Sequence, residues 1–229
     1  NGKTMFCYHI DIENNKIENP ASNNKNAGGG VYIAGGTFTM NGGAVISSNN
    51  DVYLANGTTI TVTGNLTSTD TVATITPNEY STNRQVLVAG SGVTLSNSLV
   101  KQFNVTPAEG DKEWFVDLYG YLGKVPETET NDDGTVVYLM ESYDNLLWIA
   151  QGLKTESITS LNMKLTDDID IPSGKWQFSE LNAPDYSTID GQGYSITIKE
   201  DVSKFGNSAG GLFYKLNRST VKNLVLNGS

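Results

Sequence analysis

The heptapeptide Val31-Tyr32-Ile33-Ala34-Gly35-Gly36-Thr37 returns 21 positions later as Val52-Tyr53-Leu54-Ala55-Asn56-Gly57-Thr58, and a fainter echo stands at Val86-Leu87-Val88-Ala89-Gly90. Each full copy is a short apolar run and a glycine corner followed by an alternating stretch, Thr37-Phe38-Thr39-Met40 in the first and Thr59-Ile60-Thr61-Val62-Thr63 in the second. Alternation with period two is the mark of a strand with one buried face. A single unit of this kind cannot bury its own apolar face, so its repetition predicts coils piled on one another. The fold class expected is all-β, a right-handed parallel β-helix or solenoid, with one short capping α-helix near 141–153.

The composition fits coils of short strands. Threonine, asparagine, serine and 24 glycines fill the spaces between apolar runs, and only 17% of the 229 residues are charged. Fifteen Lys plus Arg against 25 Asp plus Glu leave a net charge of -10. That excludes nucleic acid as a partner, since a phosphate backbone needs a basic footprint. An acidic surface is compatible with divalent cations, Ca2+ among them. Cys7 is the only cysteine, so the chain has no intramolecular disulfide. No apolar run approaches the about 20 residues of a membrane span, and the start NGKTMFCYHID has neither region of a signal peptide. Both ends lie in strand-like sequence, and the expectation is a fragment of a longer exported protein.

In chain order, Phe6, Tyr8, Ile10 and Ile12 alternate with polar residues, and an asparagine-rich corner with Pro20 follows. Beyond the two repeats, strands are expected at 73–77, 85–88, 93–95, 103–105 and 114–116, separated by Asn, Gly, Pro and Ser. The aromatics between Glu113 and Leu122 suit a last coil or hairpin that closes a solenoid, since open strand edges invite association. Residues 1–122 are thus expected to form β-helix coils ending a solenoid. The stretch 123–135, GKVPETETNDDGT, has no apolar periodicity and reads as an acidic linker. Residues 136–229 then read as the helix-capped start of a second β-helix. After a strand at 136–140, Leu146, Leu147, Ile149, Ala150 and Leu153 form a helical apolar stripe behind the cap residue Ser142. Further strands are expected at 163–165, 169–171, 195–198, 211–213 and 221–226.

The half from the helix onward resembles the opening of bacterial parallel β-helix modules of the pectate-lyase-like and GLUG-containing type. The resemblance is carried by helix 141–153, Leu165-Thr166-Asp167-Asp168-Ile169-Asp170-Ile171, Trp176, Ile189-Asp190-Gly191-Gln192-Gly193-Tyr194-Ser195-Ile196, Gly211-Leu212-Phe213 and the run Val221 to Leu226. The first half looks like the glycine-rich coils of repetitive surface proteins and adhesins of anaerobic bacteria and spirochaetes. These resemblances imply an extracellular or bacterial cell-surface location and a fold shared by polysaccharide lyases, glycosidases and non-catalytic adhesins. A fold so shared does not choose among these functions.

Asp167, Asp168 and Asp170 with Asp190 are the leading carboxylate group. Such residues could work as a glycosidase pair or hold calcium beside an acidic sugar. The plainer reading, which is favoured, puts Asp168 and Asp170 on a solvent-facing strand and Asp190 in the turn before Gly191. A lyase would need a base near its calcium, and Lys175, Lys199 and Lys222 are scattered. Asp132-Asp133 reads as a solvated charge run. Cys7 and His9 share a strand face, but one Cys and one His complete neither a zinc site nor a triad from the usual ligands. The glycines at 28–30 lack the Gly-Lys-Ser/Thr of a phosphate loop. Tyr119, Tyr121, Tyr186 and Tyr194 either stack on sugars or cap the core with wet hydroxyls.

The function expected is therefore a non-enzymatic segment of a large cell-surface or secreted β-helical protein. It would act as a rigid scaffold adhering to a surface protein or polysaccharide of a host or neighbouring cell. The alternative is a non-catalytic or opening part of a carbohydrate-active β-helix enzyme. In either case the working surface is expected on the Thr and Asn faces between the corners.

Overall fold

The computed structural model describes residues 4–7, 11–12, 30–46, 50–110, 112–173, 182–199 and 212–228, the first two segments by backbone alone. The chain forms a β-solenoid of about six turns, the expected all-β parallel β-helix. Its internal contacts divide it into two compact units, Asn1–Lys124 and Val125–Ser229.

The first unit runs β1 (Thr4–Cys7), β2 (Asp11–Ile12), β3 (Val31–Ile33), β4 (Thr37–Gly42), β5 (Val45–Ile46), β6 (Val52–Leu54), β7 (Ile60–Leu66), β8 (Ala73–Pro77), β9 (Leu87–Ala89), α1 (Asn97–Val100), β10 (Phe103–Val105), β11 (Trp114–Val116) and β12 (Leu122–Lys124). Parallel sheets in the orders β1-β4-β7-β9 and β3-β6-β8-β10, with the short pair β2-β5, make its coils. The sequence repeat is also the spatial register. Val31, Tyr32 and Ile33 lie beside Val52, Tyr53 and Leu54, while Phe38 and Met40 lie beside Ile60 and Val62. The inward residues join one core in which Leu54, Ile60, Val62, Ile75 and Leu87 are wholly shielded from solvent. Burying each such side chain contributes about 1.5–3 kcal/mol.

The offset between paired residues grows from 21 at Val31 and Val52, through 23 at Val52 and Ile75, to 30 at Ala73 and Phe103. The coils therefore lengthen at their corners while the inward rungs persist, and the sequence repeat decays although the stack does not. The echo at Val86–Gly90 is not a third copy of the Val31 rung. Leu87 pairs with Ile60 in the other sheet, and the rung after Val52 is the Ala73–Pro77 strand. Nor do residues 93–95 form a strand. The chain turns there into the single turn of α1, where Ser96 Oγ accepts from the Leu99 N–H at 3.3 Å.

Between coils, the buried Arg84 guanidinium donates to the carbonyls of Gln85 at 2.7 Å and Ala55 at 3.0 Å. Desolvation lowers its pKa, opposed by the charge of Glu79 and by Tyr53. Arg84 thus ties the corner after β6 to its own coil, adding to the Thr58 N–H and hydroxyl that already reach the Ala55 carbonyl. The unit finishes, as the aromatics suggested, in an antiparallel hairpin in which Trp114 pairs with Lys124. In its turn Asp117 Oδ1 accepts from the N–H groups of Tyr119 and Tyr121, both at 2.8 Å. The Gly120 carbonyl accepts from Val86 and Leu87 at 2.8 and 3.0 Å.

The second unit runs β13 (Glu127–Thr130), β14 (Val136–Met140), α2 (Tyr143–Lys154), β15 (Asn162–Leu165), β16 (Ile169–Ile171), β17 (Thr188–Asp190), β18 (Ser195–Ile198), β19 (Thr220–Lys222) and β20 (Val225–Gly228). The stretch read as a linker carries ordered strand. β12 takes up its first residues, and β13 pairs antiparallel with β14, Glu129 opposite Val137. From β14 onward the pairing is parallel, in the sheets β14-β15-β17-β19 and β16-β18-β20.

Helix α2 buries Leu146, Leu147, Ile149 and Ala150 and packs against β16. Ser142 occupies its N-cap position but makes no side-chain capping bond; instead Asn145 Oδ1 accepts from the Glu141 N–H at 3.0 Å. The helix runs past Gly152 to Lys154, and Gly152 is buried against Ile158. Leu212 and Phe213 are not in a strand, and the expected strand over 221–226 breaks in two at Asn223, whose φ is 51°. Trp176, Pro20 and the rest of the asparagine-rich corner lie outside the described residues.

Gly120 shows how close the coils approach. Its φ is +80°, and a Cβ there would fall on the backbone carbonyl of Leu87, whereas one at Gly35 would meet nothing within 4 Å. Gly120→Ala is expected to cost about 1–3 kcal/mol and Gly35→Ala to be near neutral. Urea midpoints followed by tryptophan fluorescence and circular dichroism would check both.

Candidate functional site

The second unit holds a polar cleft of about 410 Å³, floored by the outward faces of β15, β17 and β19 and walled by the β13–β14 turn. Its floor follows from alternation. Met163 and Ile189 point inward and are buried, so Asn162 with Lys164 and Thr188 with Asp190 point out. The parallel register then aligns Asn162 with Thr188 and Thr220, and Lys164 with Asp190 and Lys222. The wall is a tight turn. Asn131 and Thr135 close it at 2.9 Å, Gly134 takes a φ of +84°, and Asp133 Oδ1 accepts from the Thr135 N–H at 2.9 Å. That hydrogen bond lowers the Asp133 pKa.

Four of the five charged residues lining the cleft form two ion pairs. Lys164 Nζ lies 3.3 Å from Glu129 Oε1, and Lys222 Nζ lies 3.1 Å from Asp190 Oδ2. Asp190 Oδ1 also accepts from the Gln192 N–H and from Asn223 Nδ2, each at 3.1 Å. Burial opposes its ionisation, but the N–H of Gln192, the amide of Asn223 and Lys222 outweigh that, and the carboxyl is held down at about 2.

The four candidate aspartates are not brought to one point. Asp167 and Asp168 precede β16 and Asp170 lies on it, whereas Asp190 ends β17 in the other sheet. Asp167 Oδ1 accepts from the Asp168 N–H at 2.8 Å, a local turn. Asp168 Oδ1 reaches the next coil, accepting from Ser195 N at 2.7 Å and Ser195 Oγ at 2.9 Å, which lowers its pKa. Asp170 Oδ2 pairs with Lys199 Nζ at 2.6 Å. Among the described residues no three His, Cys, Asp or Glu side chains converge in a group that could hold a metal ion.

The four tyrosines divide likewise. Tyr119 and Tyr121 belong to the closing hairpin turn of the first unit, their N–H groups bound to Asp117. Tyr186 and Tyr194 belong to the second unit. Tyr186 is 68% exposed and carries Arg218 over its ring at 5.6 Å, with Arg218 Nη1 donating to its hydroxyl at 3.0 Å. Tyr194 is exposed beside the Gly191–Gly193 turn. The side chains of Cys7 and His9 lie outside the described residues.

Sequence reasoning missed two features. Asn162, Lys164, Thr188 and Lys222 line the cleft, and the alternation Asn162-Met163-Lys164-Leu165 was the signal that could have placed them on an outward face. The second is the stacked pair Tyr32 and Tyr53, with centroids 4.9 Å apart and planes at 6°. Their matching positions in the repeat already imply that stack.

Asp190 yields a pH prediction. Its folded pKa lies below the ordinary carboxylate value, so its contribution to stability is present above about 4 and is lost as pH falls towards about 2. Asp190→Asn should therefore lower the thermal midpoint near neutrality, and the gap to the native chain should close across that acid range. Melting curves recorded over a pH series measure it.

No protein family model, curated protein or solved structure matches this chain.

Proposed function

We propose that this chain is a non-enzymatic, rigid segment of a cell-surface or secreted β-solenoid protein that presents polar coil faces to a neighbouring surface. The observation that carries the reading is the use made of its carboxylates. Asp168, Asp170 and Asp190 each bond to the following coil, as Asp185 does to Asn217 at 2.9 Å. A general acid or base must reach a substrate proton, and these groups are turned to holding the stack together. Many weak contacts over a long polar face are what such a scaffold offers.

The cleft favours a second reading, in which the chain is a non-catalytic or opening part of a carbohydrate-active enzyme. Beads coated with the chain are expected to bind bacterial or host cells saturably, and the soluble chain to release no reducing sugar or unsaturated uronide from a polysaccharide panel. Sugar release would overturn the scaffold reading, and so would beads that bind no more than uncoated ones.

A further inference from the structure

Resting on the scaffold reading, we propose that the cleft between the β13–β14 turn and the floor strands β15, β17 and β19 binds an uncharged oligosaccharide. The charged groups of the cleft are already engaged. Glu129 meets Lys164, Asp190 meets Lys222, and the Asp133 carboxylate holds the Thr135 N–H. Each lysine has a carboxylate within 3.3 Å. An acidic polysaccharide would have to draw a lysine from that carboxylate and then face the negative charge left behind, since like charges brought close repel.

The neutral groups are in the opposite condition. Asn162 and Thr188 are register partners, half-buried in the floor, and neither side chain has a hydrogen-bond partner among the described residues. The side-chain amides of Gln192 at one end and Asn131 in the wall are likewise without one. Each of these groups both donates and accepts, which is the complement of a sugar hydroxyl. A volume of about 410 Å³ suits a short oligosaccharide. A peptide fits less well, because Val137 and Met163 are the apolar lining residues and Met163 is buried, so there is no pocket for an apolar anchor.

The test titrates the full chain with neutral cello-, xylo- and manno-oligosaccharides and with oligogalacturonate, at low and high salt. It follows the side-chain amide NMR signals of Asn162 and Gln192. At least one neutral series is expected to shift both signals, with an affinity that salt leaves within about twofold. Asn162→Ala and Thr188→Val are each expected to weaken it about fivefold or more at an unchanged melting temperature. Tighter, salt-sensitive binding of oligogalacturonate overturns the proposal, as does a peptide-library ligand that shifts the same amides. Amides that no neutral series moves overturn it too. In each of those cases, beads that still bind cells when coated with the Asn162→Ala chain leave the scaffold reading standing, so the two failures are told apart.

Discussion

Parallel pairing from one coil to the next is the constraint on which both units depend. It sets residues of successive coils one above another at the spacing of neighbouring strands, about 4.8 Å. Val31, Val52 and Ile75 form one such file and Phe38, Ile60 and Leu87 another. An inward file must stay apolar throughout, because one charge placed in it would be desolvated by the rungs on either side. The corners carry no such demand, which is why the offset can grow from 21 to 30 residues without loss of the core.

The same geometry governs the polar side chains. In a solenoid the neighbour one coil away is within reach, and four outer-face carboxylates take their partners there. Asp168 with Ser195, Asp170 with Lys199, Asp185 with Asn217 and Asp190 with Asn223 are all pairs of this kind. Half-exposed pairs such as Asp170–Lys199 are individually worth little. Their importance is that they remove charge from the list of groups free to act on something else. Under the oligosaccharide proposal, recognition at the cleft is accordingly left to its neutral amides and hydroxyls.

Much of this was legible in the sequence wherever one residue's neighbours along the chain reveal its surroundings. The alternation at Phe38 and Ile60 marked buried faces, the stripe from Leu146 to Ala150 marked a helix, and the aromatics near Trp114 marked a closing hairpin. What could not be read depends on coil length. Glu127-Thr128-Glu129-Thr130 has no apolar residue, and it is a strand because the Asn131–Thr135 turn folds it onto β14. The echo at Val86 resembled the Val31 rung yet lies in the other sheet, since the corner before it is longer. Asp168, Asp170 and Asp190 were visible singly, but their partners on the next coil stand 27 to 33 residues away, a distance that only the folded coil defines.

Even the corners, free in length, are tied to the coil beneath. Tyr186 and Arg218 each sit two residues before the paired Thr188 and Thr220, and both adopt left-handed backbone angles, with φ of 64° and 52°. For bulky residues such angles cost of order 1–3 kcal/mol each, and glycine or asparagine would relieve it. A cation–π contact at an exposed site returns only about 0.5–1 kcal/mol. The remainder has to come from the rest of the corner, where Arg218 donates to the Tyr186 hydroxyl, Asn217 donates to Asp185, and the Tyr186 N–H reaches the Asn217 carbonyl at 3.3 Å. A strained residue is tolerated at such a corner because the next coil repeats the same turn and supplies its partner. A change at either corner therefore acts on both coils at once.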